Sequence, residues 1–125
     1  MTSEKKPLLS HLAPIILVED MEESIQWYND LLGFKTLFTW EEPPTYAVLG
    51  RDSIRIHLSL KDDNFQPSKV HTHLYIFVYD VDELHAELKE KNLEVGPINS
   101  YEYGMRDFDL TDLNGNKLCF GMENK

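Results

Sequence analysis

Two stretches of the chain alternate polar or aromatic side chains with aliphatic ones. Within positions 54–60, Arg55, His57 and Ser59 alternate with four isoleucines and leucines. Within positions 71–78 the polar and aromatic residues are His71, His73, Tyr75 and Phe77. A period of two is typical of a β-strand with two different faces. Polar groups orient a ligand and rings bury it, so this pattern favours a ligand cavity over an ordinary solvated sheet face.

Aromatic rings supply the apolar surface that such a cavity needs. The rings expected to contact a ligand come from both halves of the chain: Phe38, Trp40, Tyr46, Tyr75, Tyr101 and Tyr103. Phe38 and Trp40 are two residues apart and therefore share one face of their strand. Stacking of a flat or cationic group on each ring contributes about 0.5–2 kcal/mol. The alternative for Trp40 and Tyr46 is a place in the core or in a dimer interface.

The sequence shows no pairing of a nucleophile with a base and no glycine-rich phosphate loop. Residues 101–104 are interpreted as a mobile loop that could gate the cavity. Arg106 and Asp107 are interpreted as part of the following hairpin's scaffold rather than of the site. The absence of a nucleophile–base pairing favours binding over covalent catalysis.

An internal repeat explains how these side chains are positioned. Residues 16–20 match residues 76–80 at a shift of sixty positions, and Glu23 falls on Glu83. In each copy a β-rich run ends at an aspartate, Asp20 or Asp80, which is suited to cap a helix. We predict helices over 21–32, ended by Gly33, and over 81–92.

Strands are predicted after each helix, over 35–40, 45–49 and 54–60, and then over 94–98, 105–111 and 117–122. Asn114-Gly115 predicts a tight turn between the last two strands. The predicted fold is therefore α+β, with two βαβββ modules whose curved mixed sheets enclose a cavity. Residues 1–10 are expected to form a flexible tail and 11–125 a single domain. Its modules are about 11–60 and 70–122, joined by a linker over 61–69.

Composition narrows the classes of partner. The 125 residues carry a net charge of −10, which repels phosphate backbones and argues against nucleic acid. The same charge favours cationic ligands, although it also explains solubility by itself. No apolar run is long enough to span a bilayer. One cysteine, Cys119, allows no internal disulfide and suits a reducing compartment, so a cytoplasmic location is expected.

Three motifs resemble the glyoxalase/bleomycin-resistance/dioxygenase (vicinal oxygen chelate) superfamily. They are Leu17-Val18-Glu19-Asp20 with the helix to Gly33-Phe34, the stretch 73–84, and the stretch 103–118. The last is most similar to bleomycin-resistance-like members. The resemblance implies paired βαβββ modules and a homodimer, whose modules pair within one chain or swap between chains. It also implies either a metal-dependent enzyme or a metal-free binder.

The resemblance also implies where a metal would lie. In metal-dependent members, the four ligand positions correspond here to Ala13, His57, His73 and Cys119. The family expects His or Gln at the first position, Glu at the second, His at the third and Glu at the fourth. Only His73 matches. Glyoxalase-type isomerisation is therefore not expected, because both carboxylates are missing. The remaining set of His57, His73 and Cys119 is chemically suited to catalytic zinc, which stays an alternative.

Our leading hypothesis is a metal-free protein that sequesters a small cationic or aromatic molecule as a homodimer. Its predicted ligand residues are Phe38, Trp40, Tyr46, His57, His73, Tyr75 and Tyr103. The alternative is a lyase, isomerase or dioxygenase that uses Zn, Ni, Fe or Mn. No membrane or nucleic-acid partner is expected, and the natural ligand is not encoded in any motif.

Overall fold

The chain folds into two βαβββ modules, each a four-stranded mixed sheet with one helix. The computed structural model describes residues 6–61 and 72–124. The first module consists of β1 (Ile15–Val18), α1 (Met21–Leu32), β2 (Lys35–Trp40), β3 (Tyr46–Arg51) and β4 (Ile54–Leu60). The second consists of β5 (His73–Phe77), α2 (Val81–Glu90), β6 (Asn99–Ser100), β7 (Met105–Thr111) and β8 (Lys117–Glu123). The strand orders are β1-β4-β3-β2 and β5-β8-β7-β6, and the sheets are curved but not closed.

Both helices begin at the predicted aspartates. The Asp20 carboxylate accepts a hydrogen bond from the Glu23 amide at 3.0 Å, and Asp80 accepts one from Glu83 at the same distance. Each cap satisfies an amide that the first turn leaves without a partner. Gly33 ends α1 in the left-handed conformation that glycine adopts readily. Helix α2 ends at Glu90, two residues before the predicted end.

The predicted strand over 94–98 is wrong. The regular pairing in that region is limited to β6, which bonds with β7 at Asn99 and Ser100. Pro97 has no amide hydrogen for a ladder, and the Gly96 amide reaches only the Asp109 carbonyl, at 2.8 Å. β3 also begins one residue later and ends two residues later than predicted. Most of the predicted linker, and residues 1–5 of the predicted tail, lie outside the described residues.

One apolar core joins the two modules. On β4, Ile56 and Leu58 are fully buried, while Arg55 on the other face is exposed. Tyr28 on α1 and Phe108 on β7 are also buried in the same cluster. The strand alternation predicted from sequence therefore separates a core face from an outer face on each sheet. Among residues 6–61 and 72–124, no helix is long and apolar enough to cross a membrane.

A buried carboxylate fastens the second module to the first. The Asp112 Oδ2 atom accepts a hydrogen bond from the Tyr28 hydroxyl of α1 at 2.5 Å and one from the Asn116 side-chain amide at 3.1 Å. Its Oδ1 atom accepts from the backbone amides of Asn114 and Asn116. Asn114 in turn donates to Ser24 on α1 at 3.0 Å. The turn between β7 and β8 is thereby held against α1.

A second link lies near the C-terminal end of α1. The Arg51 guanidinium makes two hydrogen bonds to the Glu87 carboxylate of α2, at 2.8 and 3.0 Å, and one to the Leu32 carbonyl. The ion pair lowers the pKa of Glu87. Both side chains are about one-third exposed, so water screens the pair. This link adds less stability than the buried one around Asp112.

Replacing Tyr28 with Phe is expected to lower the free energy of unfolding by about 1–3 kcal/mol, because the buried Asp112 carboxylate loses a charge-assisted donor. Urea unfolding followed by circular dichroism measures the change. Tyr79→Phe is the matched control, since Tyr79 is fully exposed. Equal stabilities for the two variants would show that the buried hydroxyl does not fasten the modules.

The Arg51–Glu87 pair predicts a small pH dependence of stability. Because folding lowers the pKa of Glu87, its contribution is present above the unfolded value of about 4.3 and is lost as pH falls through the folded value. Glu87→Gln should therefore cost less than about 1 kcal/mol at pH 7, and this cost should shrink as pH falls into the acid range and through the lowered pKa of the folded Glu87 carboxyl. Urea titrations across that range test it, with the exposed Glu94→Gln as control. A cost that grows in acid would contradict the assignment.

Candidate functional site

The outer face of the first sheet carries a histidine that is already engaged. His57 on β4 lies beside Val48 of β3 in the sheet, and the Tyr46 hydroxyl is 2.7 Å from its Nδ1 atom. The two rings also meet edge to face, with centroids 5.6 Å apart. Both side chains are half-buried. The predicted ligand residues Tyr46 and His57 therefore form one polar-aromatic pair.

Strand β2 adds an exposed apolar rim to this face. Phe38 pairs with Val48 and Trp40 with Tyr46, so the two rings share one face of β2, as predicted, and that face is the one that carries His57. The Phe38 side chain is 50% exposed and the Trp40 side chain is 60% exposed, so Trp40 is not a core residue. This face therefore offers open ring surface to a ligand or to another chain.

Leu37 belongs to the same rim and was missed by the sequence analysis. The register of β2 shifts between Thr36 and Phe38, which leaves Leu37 outside the regular alternation. A Cβ atom built on Gly50 would lie 2.8 Å from both Leu37 Cδ1 and Arg55 Nη1. Leu37 therefore lies over Gly50, on the outer face. No residue pattern signals this bulge.

The outer face of the second sheet is built around Asp107. Tyr75 of β5 pairs with Cys119 of β8, and its side chain passes over Gly121 of the same strand. The Tyr75 hydroxyl donates to Asp107 Oδ2 of β7 at 2.9 Å. Any Cβ atom at Gly121 would collide with that hydroxyl, so the crossing requires glycine. Asp107 is only 8% exposed. It lies in the candidate site rather than only in the hairpin scaffold, whereas Arg106 binds Asp82 of α2 on the other side.

Two further tyrosines stand beside this carboxylate. The rings of Tyr101 and Tyr103 stack with centroids 4.9 Å apart and an angle of 11°. Residues 101–104 form a turn closed by a hydrogen bond from the Gly104 amide to the Tyr101 carbonyl. Its mobility stays a prediction. Tyr101 lies near the Asp107 carboxylate. Tyr103, stacked on Tyr101 and 73% exposed, presents a flat apolar surface.

The negative surroundings of this face affect its titratable groups. Burial and then the Asp107 carboxylate raise the pKa of Tyr75 and of Tyr101. Burial, followed by Asp107 and Asp109, raises the pKa of the Cys119 thiol to about 11. The phenols and the thiol therefore stay neutral at physiological pH. A positively charged group would be stabilised here, and a second negative charge would not.

The residues at the superfamily's metal positions do not form a metal centre within this chain. Ala13 has no donor atom, and neither of the two carboxylates that the family pattern expects is present, since His57 and Cys119 occupy those positions. His57 already contacts the Tyr46 hydroxyl through its Nδ1 atom. In the described ranges, no three His, Cys, Asp or Glu side chains lie close enough together to hold a metal ion. This donor set does not fit the metal that the superfamily's enzymes use.

A cavity of about 430 Å³ lies elsewhere, between the two modules. Its walls come from the end of α1, the turn between β3 and β4, strand β5 and helix α2. None of the seven ligand residues predicted from sequence lines it: Phe38, Trp40, Tyr46, His57, His73, Tyr75 and Tyr103. The outer faces of the sheets are open surfaces in the single chain. His73 is exposed on β5, and His71 lies outside the described residues.

Comparison with known proteins agrees with this architecture. Residues 8–120 match the family model described as Glyoxalase/Bleomycin resistance protein/Dioxygenase superfamily. No curated protein sequence matches the chain. Three of the similar solved structures are TioX from Micromonospora sp. ML1, a bleomycin resistance determinant encoded on the transposon Tn5, and a lactoylglutathione lyase from Agrobacterium tumefaciens.

These structures share the fold over nearly their whole length. TioX is 18% identical with a TM-score of 0.77, and the alignment covers 91% of this chain and 98% of TioX. The bleomycin resistance determinant is 14% identical with a TM-score of 0.79, and the alignment covers 94% of this chain and 100% of the determinant. The lyase is 16% identical with a TM-score of 0.74, and the alignment covers 94% of this chain and 96% of the lyase. Identities this low establish a common fold and leave the function to the residues of the site.

The charge around Asp107 can be tested through Cys119. Alkylation by iodoacetamide should have a pH midpoint near 11, because only the thiolate reacts and its formation is disfavoured. Asp107→Asn should move the midpoint down, while Asp52→Asn in the turn between β3 and β4 should not. A midpoint near the ordinary value for cysteine, about 8.5, would contradict a buried, negatively charged setting.

Proposed function

The chain belongs to the glyoxalase/bleomycin resistance/dioxygenase superfamily, and from that premise we propose that it is a metal-free protein that binds and sequesters a flat, cationic small molecule. The observation that carries the proposal is the Asp107 carboxylate, fixed by Tyr75 and flanked by the stacked pair Tyr101–Tyr103. We also propose a cytoplasmic location, which the single free thiol supports.

Recognition would combine charge and stacking. The carboxylate is almost buried, so its attraction for a cation is screened less than that of a surface carboxylate. The exposed ring of Tyr103 offers its face to a flat group, and cations bind favourably to such faces. The net charge of −10 raises the local concentration of cationic ligands. No bond is made or broken in this mechanism.

We further propose that a homodimer completes the site. Among the described residues no ring contact joins the outer faces of the two sheets. Each face exposes large apolar side chains, including Trp40 on the first and Phe77, 71% exposed, on the second. A second copy could place the first sheet of one chain over the second sheet of the other. The ligand would then lie between an apolar rim and the Asp107 carboxylate.

A metal-dependent lyase, isomerase or dioxygenase remains the rival, and the structure offers no specific observation in its favour. The low identity to the lactoylglutathione lyase shows only a shared fold. The chemistry of the donor set weighs against it, since both expected carboxylates are replaced, by His57 and Cys119, and Ala13 has no donor atom. The two functions differ in whether the purified protein carries a metal.

Bleomycin, a cationic glycopeptide, is the probe for the binding proposal. In a Trp27→Phe variant, Trp40 is the single remaining tryptophan, so its fluorescence reports the outer face alone. Bleomycin should quench it at low salt and bind more weakly at high salt, because charge contributes to the attraction. Asp107→Asn should weaken binding about tenfold, equal to a loss of about 1.4 kcal/mol.

Asp52→Asn is the matched control, since it removes one carboxylate from outside the sheet faces. Equal weakening by Asp52→Asn and Asp107→Asn would show that only the net charge matters. Absence of quenching at every salt concentration would exclude bleomycin as a ligand and leave the fold unaffected.

Metal content separates the proposal from its rival. We expect less than about 0.1 equivalent of Zn, Ni, Fe or Mn in protein purified without chelator, because no complete donor set is formed. Elemental analysis measures this directly. Near-stoichiometric metal that is lost in His57→Ala or His73→Ala would contradict the metal-free proposal.

A further inference from the structure

The hairpin turn of each module lies against the helix of the other module. In one contact, the Tyr28 hydroxyl of α1 donates to Asp112, which directly follows β7. In the other, Arg51 at the end of β3 donates to Glu87 of α2. Arg51 and Asp112 are 61 positions apart, close to the shift of sixty that relates the modules. The two contacts are therefore counterparts in the repeat, although they differ in chemistry.

The two helices differ at the positions that face these turns. At the shift of sixty, Leu88 of α2 corresponds to Tyr28 of α1. Leu84 corresponds in the same way to Ser24, which accepts a hydrogen bond from Asn114 of the opposite turn. Both leucines are shorter than tyrosine, carry no polar group and line the cavity between the modules. The cavity therefore lies where the counterpart interface is closed by a buried ring and its hydrogen bonds.

The wall of this cavity is largely apolar. Aliphatic and aromatic side chains from both modules line it: Leu32, Ile54, Ile76, Leu84, Leu88 and Phe120. Its volume of about 430 Å³ lies within the range of pockets that bind small molecules. Ser53 is exposed and also belongs to the lining, so the cavity opens to solvent beside the turn between β3 and β4.

The polar side chains of the lining give the cavity a negative charge. Carboxylates belong to it at Asp52, Asp80, Glu83 and Glu87, and among the described residues of the lining Arg51 is the one cation. Arg51 makes two hydrogen bonds to Glu87, and its Nε atom is 3.9 Å from the Asp52 carboxylate. Four carboxylates against one guanidinium leave a net charge of −3. An anionic group is repelled here, whereas a cationic group is attracted.

The counterpart contact indicates which chemistry suits this place. Tyr28 combines an apolar body with one donor, and that donor reaches a carboxylate, Asp112. An aliphatic amine combines the same two properties, because its chain is apolar and its ammonium group donates to carboxylates. Leu84 and Leu88 supply apolar wall for the chain, and the exposed Glu83 belongs to the same lining.

We propose that the cavity between the modules is a second binding site, which takes an amphipathic amine. The aliphatic chain lies against the leucines of α2, and the ammonium group lies at the acidic mouth, near Asp52 and Glu83. Asp107 and the stacked pair Tyr101–Tyr103 do not belong to the lining, so this site is separate from the candidate site on the outer faces. The proposal does not rest on what the outer faces bind.

The probe is n-octylammonium, and isothermal titration calorimetry at low salt measures its affinity. Octanol and octanoate carry the same chain with no charge and with a negative charge. Octylammonium should bind at one site per chain, at least about five times more tightly than octanol, and octanoate should bind more weakly than octanol. Hexylammonium should bind about tenfold more weakly than octylammonium, because it buries two fewer CH₂ groups.

Glu83→Gln should weaken octylammonium binding at least about threefold, because one carboxylate at the mouth is lost. Glu23→Gln is the matched control. Glu23 corresponds to Glu83 in the repeat, is also exposed and has its amide bonded to a cap aspartate in the same way, but it lies outside the lining. The Glu23→Gln variant should keep the affinity of the unchanged protein.

Two further variants obstruct the cavity itself. Leu84→Phe narrows it and should weaken octylammonium binding at least about tenfold, with circular dichroism as the check that the variant folds. Ser53→Trp obstructs the exposed mouth without changing the buried wall, and it should weaken binding at least about threefold even where Leu84→Phe does not fold.

Equal affinities for octylammonium, octanol and octanoate would overturn the proposal, as would equal weakening by Glu23→Gln and Glu83→Gln. Full affinity in both Ser53→Trp and a folded Leu84→Phe would place the amine elsewhere on the protein and would also overturn it.

Quenching of Trp40 by bleomycin, in the Trp27→Phe background, reads the outer faces separately. Saturating octylammonium should leave that quenching unchanged, whereas competition between the two would show one shared site and overturn the second. Octylammonium binding without quenching by bleomycin would refute the proposed ligand and keep the cavity site. Quenching without octylammonium binding would do the reverse.

Discussion

The architecture depends on one buried carboxylate. Asp112 accepts four hydrogen bonds, two from backbone amides of its own turn, one from Asn116 and one from Tyr28 on the other module. Three of these donors lie in the turn itself, and docking against α1 adds the fourth, the Tyr28 hydroxyl, so the docked arrangement satisfies the buried carboxylate best. This docking determines how the second module is oriented. The same orientation leaves the outer face of each sheet uncovered by the other.

The two outer faces differ in chemistry although they come from the same repeated module. The first carries exposed apolar rings and a histidine that is hydrogen bonded to tyrosine. The second carries Asp107, with two neutral phenols and a neutral thiol around it. One face thus supplies burial and the other supplies charge. A flat cation needs both, which favours a site shared between the faces over two separate sites.

Local sequence signals predicted the elements well, because helix caps and strand alternation act over a few residues. Asp20 and Asp80 located both helix starts, and alternation placed Phe38 and Trp40 on one face of β2 and His57 on the polar face of β4. The strand over 94–98 failed because Gly96 and Pro97 prevent a ladder that the β-rich residues around them would favour. Asp107 was assigned to the scaffold, although its alternation with Phe108 already placed it on the outer face.

Other features could not be predicted because they depend on contacts between distant residues. Leu37 reaches the outer face through a bulge that no residue type requires. The contact between Tyr28 and Asp112 spans 84 positions and has no sequence motif. The cavity between the two modules exists only after both modules are docked. These are the places where tertiary packing, rather than local propensity, decides the structure.

Backbone chemical-shift mapping with bleomycin, in buffer treated to remove metals, tests the central claim most directly. We predict that the largest amide shifts fall on Tyr75, Tyr101 and Asp107 of the second sheet, together with Trp40 of the first. Shifts confined to the cavity between the two modules, or shifts around His57 and His73 that appear only when a divalent metal is added, would contradict the account.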